Sequence, residues 1–400
     1  MSGKIELLLP AGDPEKFKVG LAYGGDAFYA GGEHFSLRNA CRNFTPKELE
    51  SSIRLAHESG RKFYLALNIF PRCGDFPALK KYLRKISKLP LDALIVSDLG
   101  IIELLAELKI GIPLHISTQA NILNHYAVAF LNRIPVKRII LARELSRAEI
   151  SLIRKKHRNV ELEIFVHGAM CVSYSGRCLL SLYFNKRDAN KGDCSHPCRW
   201  KYQLQEEKRP GVYLPISEED SGSLIFNSRD LCLIGHLPEI ISLGIDSVKI
   251  EGRVKSEYYL AVVGRTYREA IDSCYSGKKF TLRKEWLHEL ASVSHREYTT
   301  GFFTGLPADV MRKQSAYLRN CQVVGKILSC NAGRSKIHVK NNLYSGDSVE
   351  VFSPEGVFPE SIRELRSGNH KISKATNEMI VNCALSREYS WGSFLRKREK

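Results

Sequence analysis

The sequence lacks any hydrophobic run long enough to cross a membrane. No stretch approaches the roughly 18 apolar residues that a spanning helix needs. The apolar run nearest the N-terminus covers only residues 5–10, which is too short for the core of a signal peptide. These absences predict a cytoplasmic protein with no membrane partner, in a compartment where thiols stay reduced.

The signatures of several enzyme classes are missing as well. The turn after the first apolar run, LLPAGDPEK, has no G-x-G-x-x-G phosphate loop, which disfavours an open dinucleotide-binding sheet. The chain contains neither the G-x-S-x-G elbow of serine hydrolases nor the H-E-x-x-H motif of zinc peptidases. A recognisable hydrolytic triad is therefore not part of the pattern.

Acidic residues are few relative to basic ones. The chain has 60 Lys and Arg against 43 Asp and Glu, a formal net charge of +17. Such a surplus attracts polyanions, and nucleic acid is the most common polyanion of the cytosol. A chain that is simply basic, with no polyanionic partner, is the alternative that composition leaves open.

Eight short apolar segments alternate with helical patterns through the first part of the chain. This alternation predicts a parallel, TIM-like (β/α)8 barrel over residues 1–290, with a long cysteine-bearing insertion at 168–243 after the seventh strand. Residues 291–319 are expected to form a linker, and the alternating pattern of 320–400 predicts a small β-barrel domain. The eight segments are 5–9, 27–31, 63–69, 93–98, 113–119, 138–143, 162–168 and 246–252.

Polar residues recur at the C-terminal ends of these strands, where barrels of this type place their chemistry. Each could equally be a structural cap or a structural ion pair, but their recurrence favours a site. The candidates for catalysis are His167, Arg143, Arg253 and Glu251, and the candidates for binding a cofactor or co-substrate are Asn68, Gln119 and Arg199.

The cysteines are numerous and odd in number, at 11, which disfavours a disulfide framework and favours metal binding or catalysis. Cys171, Cys178, Cys194 and Cys198 lie in one polar stretch, and Cys232 follows. Thiolates are soft ligands for zinc or for iron–sulfur clusters. Structural zinc sites use tightly spaced cysteine pairs, which the 194/198 pair alone provides, so a cluster is favoured over zinc and over inert thiols.

The stretch EIFVHGAMCVSYSGRCLLS (163–181) resembles the signature of the collagenase-like peptidase family, peptidase family U32. The stretches KRDANKGDCSHPCRWKY, IDSVKIEGRVKS and SHREYTTGFF extend the resemblance over nearly the whole chain. Several members of that family are iron–sulfur proteins that act in oxygen-independent hydroxylation of tRNA, ribosomal RNA or the ubiquinone ring. In length and in its C-terminal β domain the chain is most similar to the tRNA-modifying members.

The resemblance implies a 4Fe–4S cluster and prephenate-dependent hydroxylation of the wobble uridine of tRNA to 5-hydroxyuridine. Whether a partner supplies electrons stays open. The roles it suggests are carboxylate binding by Arg143, Arg253 and Arg199, proton transfer by His167, and cluster ligation by Cys171, Cys178, Cys194 and Cys232, with Cys198 as a possible replacement for one of them.

Two functions of other classes remain as alternatives. The first is the peptidase activity that the family name records, for which Ser173, Ser181 and His167 lie near one another in sequence. The second is a zinc-stabilised RNA-binding adaptor with no chemistry of its own.

Overall fold

The structure is a computed structural model that describes residues 3–37, 42–170, 176–197, 204–205, 213–214, 229–305, 318–331 and 333–398. The chain divides into two compact units. The first comprises Met1–Lys255, Tyr267–Leu282 and Arg296–Ala316. The second comprises Ser256–Thr266, Arg283–His295 and Tyr317–Lys400, so it includes residues that the sequence pattern assigned to the barrel and to the linker.

The strands of the described residues are, in chain order, β1 Glu6–Ala11, β2 Ala27–Gly31, β3 Lys62–Leu67, β4 Ala93–Val96, β5 Leu114–Ile116, β6 Val136–Ile140, β7 Glu161–Ala169, β8 Leu204–Gln205, β9 Tyr213–Leu214, β10 Asp230–Cys232, β11 Ser247–Ile250, β12 Tyr298–Thr299, β13 Cys321–Asn331, β14 Arg334–Val339, β15 Leu343–Tyr344, β16 Ser348–Ser353, β17 Gly356–Ser361, β18 Arg363–Ser367, β19 His370–Lys371, β20 Lys374–Ala375, β21 Ile380–Ala384 and β22 Phe394–Arg398. The α-helices are α1 Pro14–Ala22, α2 Pro46–Glu58, α3 Phe76–Ile86, α4 Leu99–Glu107, α5 His125–Leu131, α6 Arg147–Lys156, α7 Leu180–Asn185, α8 Leu237–Ser242, α9 Glu257–Cys274 and α10 Lys284–Leu290.

The first unit is built on a closed parallel barrel of eight strands. Strands β1 to β7 pair with their neighbours in sequence order, and β11 pairs in parallel with both β7 and β1. The strands are buried along most of their length, as expected where helices cover the outside of a parallel sheet. The predicted TIM-like fold is confirmed, with each of the eight strands inside or overlapping its predicted segment.

Local signals in the sequence fix where the barrel helices begin. Thr45 and Glu48 form a reciprocal capping box at the start of α2, and Ser146 and Glu149 form another at the start of α6. Each box satisfies backbone N–H groups that the first turn of a helix leaves without partners. The loops that follow the C-terminal ends of β2 and β6 are therefore anchored where they enter α2 and α6.

The insertion between β7 and β11 adds β10 beside the barrel strand β7, and β12, which follows β11 in the chain, extends this edge. β10 pairs antiparallel with β7, which sets Cys232 opposite His167, and β12 pairs in parallel with β10. The described parts of the insertion also include α7, α8 and the short hairpin of β8 and β9. One of its predicted metal ligands therefore lies directly beside a barrel strand.

The second unit contains an antiparallel sheet of eight strands in the order β17-β16-β22-β13-β14-β21-β18-β19. Its core is apolar and includes Val324, Ile337, Val351 and Leu395. The expectation of a C-terminal β domain is thereby confirmed as an antiparallel sheet.

None of the described helices combines the length and the apolar character that spanning a membrane requires.

Candidate active site

One cavity at the barrel mouth is lined by five of the residues that the sequence singled out. They are Asn68, Gln119, Arg143, Glu251 and Arg253. They follow four different strands, β3, β5, β6 and β11, and closure of the barrel brings these strand ends together.

The rest of the cavity wall was not anticipated from sequence. It consists of Tyr29, Leu37, Ala66, Ile95, Ser117, Thr118, Phe165 and Lys249. The best available signal was Lys249, a charged residue inside the otherwise apolar strand β11. A lysine at a fully buried strand position calls for a partner or a function.

Arg143 presents its charge to the cavity. Its Nη1 donates to the carbonyl oxygen of Ala169 at 2.7 Å, and its guanidinium lies 5.1 Å from the ring centroid of Phe165. Within the described part of the chain, no carboxylate forms an ion pair with it. A guanidinium without a paired carboxylate can bind one from a ligand, because its planar fork offers two parallel N–H donors.

Arg253 and Asn68 have positioning contacts instead. The buried Arg253 donates through Nη2 to the carbonyl oxygen of Leu37, and Ser36 Oγ lies 3.3 Å away. Asn68 Oδ1 accepts from the backbone N–H of Leu37 at 3.1 Å. Together these two side chains hold the loop after β2 in place at the edge of the cavity.

A buried polar layer supports Lys249. Its Nζ lies 2.9 Å from Glu163 Oε1 and 4.3 Å from the ring centroid of Tyr29. Burial lowers the pKa of Lys249, and the charge of Glu163 opposes that shift. Glu163 Oε2 also accepts from Arg138 Nη1 at 3.1 Å, so the carboxylate is held from two sides.

Arg138 extends this layer to the first strand. Its Nη1 lies 2.5 Å from Glu6 Oε1, and Tyr64 Oη donates to Glu6 Oε2 at 2.9 Å. Burial by itself raises the pKa of Glu6, but the attraction and hydrogen bond of Arg138 outweigh it and leave that pKa lowered. Glu6 is therefore held as a carboxylate inside the barrel.

His167 is not among the described residues that line the cavity. The pairing of β7 with β11 shifts register between Lys249 and Ile250, so that Ile250 lies opposite His167, where an unbroken register would place Val166. A one-residue shift turns the following side chains to the opposite face of a strand.

The ring of His167 accordingly lies outside the cavity, against two tyrosines. The centroid separations are 5.4 Å to Tyr267 and 5.2 Å to Tyr298. His167 Nδ1 is 3.4 Å from Tyr267 Oη, and that hydroxyl donates to the carbonyl oxygen of Val166 at 2.8 Å. Since the tyrosine's proton is directed to Val166, Tyr267 can serve as acceptor for an Nδ1–H of the histidine.

The cysteine-bearing segment lies against the barrel mouth. A Cβ added at Gly176, where φ is +75°, would collide with the carbonyl oxygen of Gln119, a cavity residue. Asn190 Nδ2 donates to the carbonyl oxygen of Cys178 at 3.0 Å, and the Asn190 carbonyl accepts from Phe70, just after β3. Lys191 pairs with Asp75 at 2.8 Å.

Three of the predicted cluster ligands are described, and none of them forms a disulfide bond: Cys178, Cys194 and Cys232. Cys194 Sγ accepts from the backbone N–H of His196 at 3.4 Å. Cys232 Sγ lies 3.9 Å from Tyr267 Oη, and burial raises the pKa of its thiol. Reduced thiols with hydrogen-bond donors nearby fit, as a donor set, the chemistry of a cluster.

The convergence of these ligands stays a prediction. Among the described residues, no group of three or more His, Cys, Asp or Glu side chains is placed to hold a metal ion. Cys171, Cys198 and Arg199 lie outside the described residues, so the structure does not bear on a site that includes them.

With this geometry in place, comparison with known proteins identifies the family. Residues 12–313 match the description of peptidase family U32, and residues 319–396 match the C-terminal domain of the same family. The chain belongs to peptidase family U32. The resemblance drawn from the motif around Cys171 and Cys178 is therefore confirmed.

Individual relatives within the family carry names that refer to RNA. The chain is 37% identical to tRNA hydroxylation protein P of Escherichia coli, over 88% of this chain and 87% of that protein. It is 38% identical to tRNA hydroxylation protein P1 of Bacillus subtilis, over 98% and 95%. It is 34% identical to a 23S rRNA 5-hydroxycytidine synthase of Escherichia coli, over 88% of this chain but 53% of that protein.

Proposed function

We propose that this chain is an iron–sulfur tRNA-modifying enzyme that hydroxylates the wobble uridine to 5-hydroxyuridine, using prephenate and no molecular oxygen. The observation that carries the proposal is the cavity at the barrel mouth, where the cations Arg143 and Lys249 adjoin the rings of Tyr29 and Phe165. The names of the tRNA-hydroxylating relatives and the net charge of +17 give it independent support.

The proposed reaction replaces the C5–H bond of uridine by a C5–OH bond. The base gains one oxygen atom and is oxidised by two electrons. Prephenate bears a hydroxyl group on its ring, and in this scheme it gives up that group and takes up hydrogen in its place. Atoms and electrons then balance between the two substrates without any further oxidant.

The residues of the cavity supply binding and orientation in this scheme. The guanidinium of Arg143 binds a carboxylate of the co-substrate, and the ammonium of Lys249 adds positive charge. The rings of Tyr29 and Phe165 form walls against which a flat or cyclic ligand packs. Arg253 and Asn68 hold the loop of Leu37 that borders the cavity.

His167 and Arg199 keep the roles expected from sequence, and we propose that Glu251 and Gln119 bind the nucleotide. Glu251 and Gln119 line the cavity and can accept hydrogen bonds from the imide or ribose of a flipped-out nucleotide. His167, whose ring lies outside the cavity and is oriented by Tyr267, is proposed to transfer protons on the side of β7 that adjoins Cys232. Arg199 is proposed as a further carboxylate ligand.

We assign the cluster to Cys171, Cys178, Cys194 and Cys232, with Cys198 able to replace one of them. When bound, such a cluster supplies electron transfer or a binding point for the oxygen-bearing co-substrate. The position of Gly176 and Asn190 against the barrel mouth supports a location next to the cavity.

The cluster is tested by purification without oxygen, followed by analysis of iron, acid-labile sulfide and zinc. The wild-type chain should contain about four iron and four sulfide per chain, as a 4Fe–4S centre requires. Cys178→Ser and Cys194→Ser should lose most of the iron, whereas Cys274→Ser in α9, outside the insertion, should keep it. Zinc without iron or sulfide would instead favour the adaptor.

The peptidase alternative has a weaker basis in the structure. Ser181 is fully buried, and its Oγ accepts from the backbone N–H of Ser195 at 2.9 Å. Among the described residues, no histidine hydrogen-bonds to it, so it lacks the base that a serine nucleophile needs. Ser173 lies outside the described residues. A colourless, metal-free chain that cleaves peptides would favour this alternative over the proposed function.

A further inference from the structure

The solvent-facing side of the C-terminal sheet carries a row of cations. Lys336 in β14 pairs with Asn382 in β21, Asn382 pairs with Arg366 in β18, and Arg366 pairs with Lys371 in β19. Residues directly opposite each other in antiparallel strands project from the same face of the sheet. The three cations of this row therefore share one face.

A second row runs beside the first. Arg334 pairs with Ala384, and Ala384 pairs with Arg363. Arg334 and Ala384 are each two residues from their counterparts in the first row, so the second row lies on the same face. We call the five cations of the two rows, Arg334, Lys336, Arg363, Arg366 and Lys371, the cationic face.

The opposite side of these strands is the core. Ile337 in β14, Val381 in β21 and Leu365 in β18 lie next to row residues in sequence, and each is almost fully buried. The register thus assigns the apolar residues to the interior and the cations to solvent. The cations lie on β14, β18 and β19, and β21 between β14 and β18 contributes the uncharged residues Asn382 and Ala384.

The cationic face has little compensating negative charge. Glu364 lies 3.9 Å from Arg334 Nη2 and 3.6 Å from Arg366 Nη2. Within the described residues, Lys336, Arg363 and Lys371 form no ion pair with a carboxylate. Farther along β14 the pattern ends, because His338 and Lys340 both pair with Glu378.

We infer that the cationic face binds the phosphate backbone of tRNA. This inference rests on the proposed function and names the surface at which its tRNA substrate binds. Neighbouring strands lie about 4.8 Å apart and same-face residues along a strand about 7 Å apart, a spacing at which several phosphates can be contacted together. The rows contain no aromatic residue for base stacking. The contact is therefore to the backbone and independent of base sequence.

The test measures binding of unfractionated bacterial tRNA to the full chain at several salt concentrations. The variant carries Lys336→Gln, Arg366→Gln and Lys371→Gln together. It should bind at least about tenfold more weakly, with a salt dependence shallower by roughly two to three phosphate contacts. A second variant, Arg334→Gln with Arg363→Gln, should also bind tRNA more weakly than wild type. It tests the second row separately from the first.

The matched control removes three exposed lysines outside the rows, by Lys278→Gln, Lys279→Gln and Lys284→Gln. It should bind within about twofold of wild type, because its loss of charge does not remove phosphate contacts. Equal weakening in the control, or unchanged binding in both row variants, overturns the cationic face while leaving the proposed function standing. A wild-type chain that does not bind tRNA at all overturns both.

Discussion

At the scale of single residues, the two cavity arginines differ in what they contact. Arg253 is buried and donates to the carbonyl oxygen of Leu37, so its guanidinium holds a loop. Arg143 donates to the carbonyl oxygen of Ala169 and stacks on Phe165, and in the described part of the chain it pairs with no carboxylate. From the sequence alone both arginines were candidates for binding a carboxylate, and their contacts favour Arg143 for this proposed role.

Arg143→Lys should therefore impair the use of the co-substrate. The variant keeps the positive charge but loses the planar fork that binds a carboxylate in two places. We expect the KM for prephenate in tRNA hydroxylation to rise by about tenfold or more, which corresponds to loss of one charge-assisted contact. The measurement is the initial rate of 5-hydroxyuridine formation against prephenate concentration.

Arg147→Lys is the control, because Arg147 is exposed, pairs with Glu239 and is not among the residues that line the cavity. Its KM should stay near that of wild type. If both variants give the wild-type KM, Arg143 does not bind the co-substrate.

Polarity at strand ends made five cavity residues predictable, whereas the other lining residues gave a weaker signal. Tyr29 and Phe165 lie in apolar strands, where an aromatic residue is indistinguishable from a core residue. Lys249 stood out from its apolar neighbours but could equally have been a structural ion pair, and it does pair with Glu163. Which side of a strand faces a cavity depends on closure of the barrel.

At the scale of elements, the pairing of β7 with β11 determines toward which side the last side chains of β7 point. The register shift after Lys249 turns His167 away from the cavity and toward Tyr267 and Tyr298. The sequence here has three consecutive apolar residues, 164–166, and such a run does not show which residue is bulged. The prediction of the strand was right, but the direction of its last side chains required the pairing partners.

Gly168 follows His167 in the chain and allows β7 to approach the backbone of Glu251, just after β11. Its φ is +108°, and an added Cβ would lie 2.6 Å from the backbone oxygen of Glu251. Gly168→Ala should lower the free energy of unfolding by about 3 kcal/mol, because it combines a disfavoured backbone conformation with a backbone collision.

Gly60→Ala is the matched control for this substitution. Gly60 also has a positive φ, +66°, but nothing lies within 4 Å of an added Cβ. Strain alone should then cost about 1 kcal/mol. Denaturant unfolding of both variants measures the difference, and equal losses would show that the approach of Gly168 to Glu251 is not what constrains the pairing of β7 with β11.

At the scale of the whole molecule, the cavity and the cationic face belong to different kinds of sheet. The parallel barrel gathers residues from distant parts of the sequence into one cavity, as its eight apolar segments predicted. The antiparallel sheet spreads its cations over one face, as its register shows. The alternation from residue 320 onward predicted strands, but not their order, and only the order reveals that the cations adjoin.

Mass spectrometry of tRNA nucleosides tests the proposed hydroxylation of the wobble uridine most directly. The host is a bacterial strain whose own tRNA hydroxylation genes have been deleted, grown without oxygen and carrying either this gene or an empty plasmid. If the chain has the proposed function, 5-hydroxyuridine and its derivatives are absent with the empty plasmid and restored by the gene. Unmodified wobble uridine in the strain that expresses the folded, iron-containing chain would contradict it.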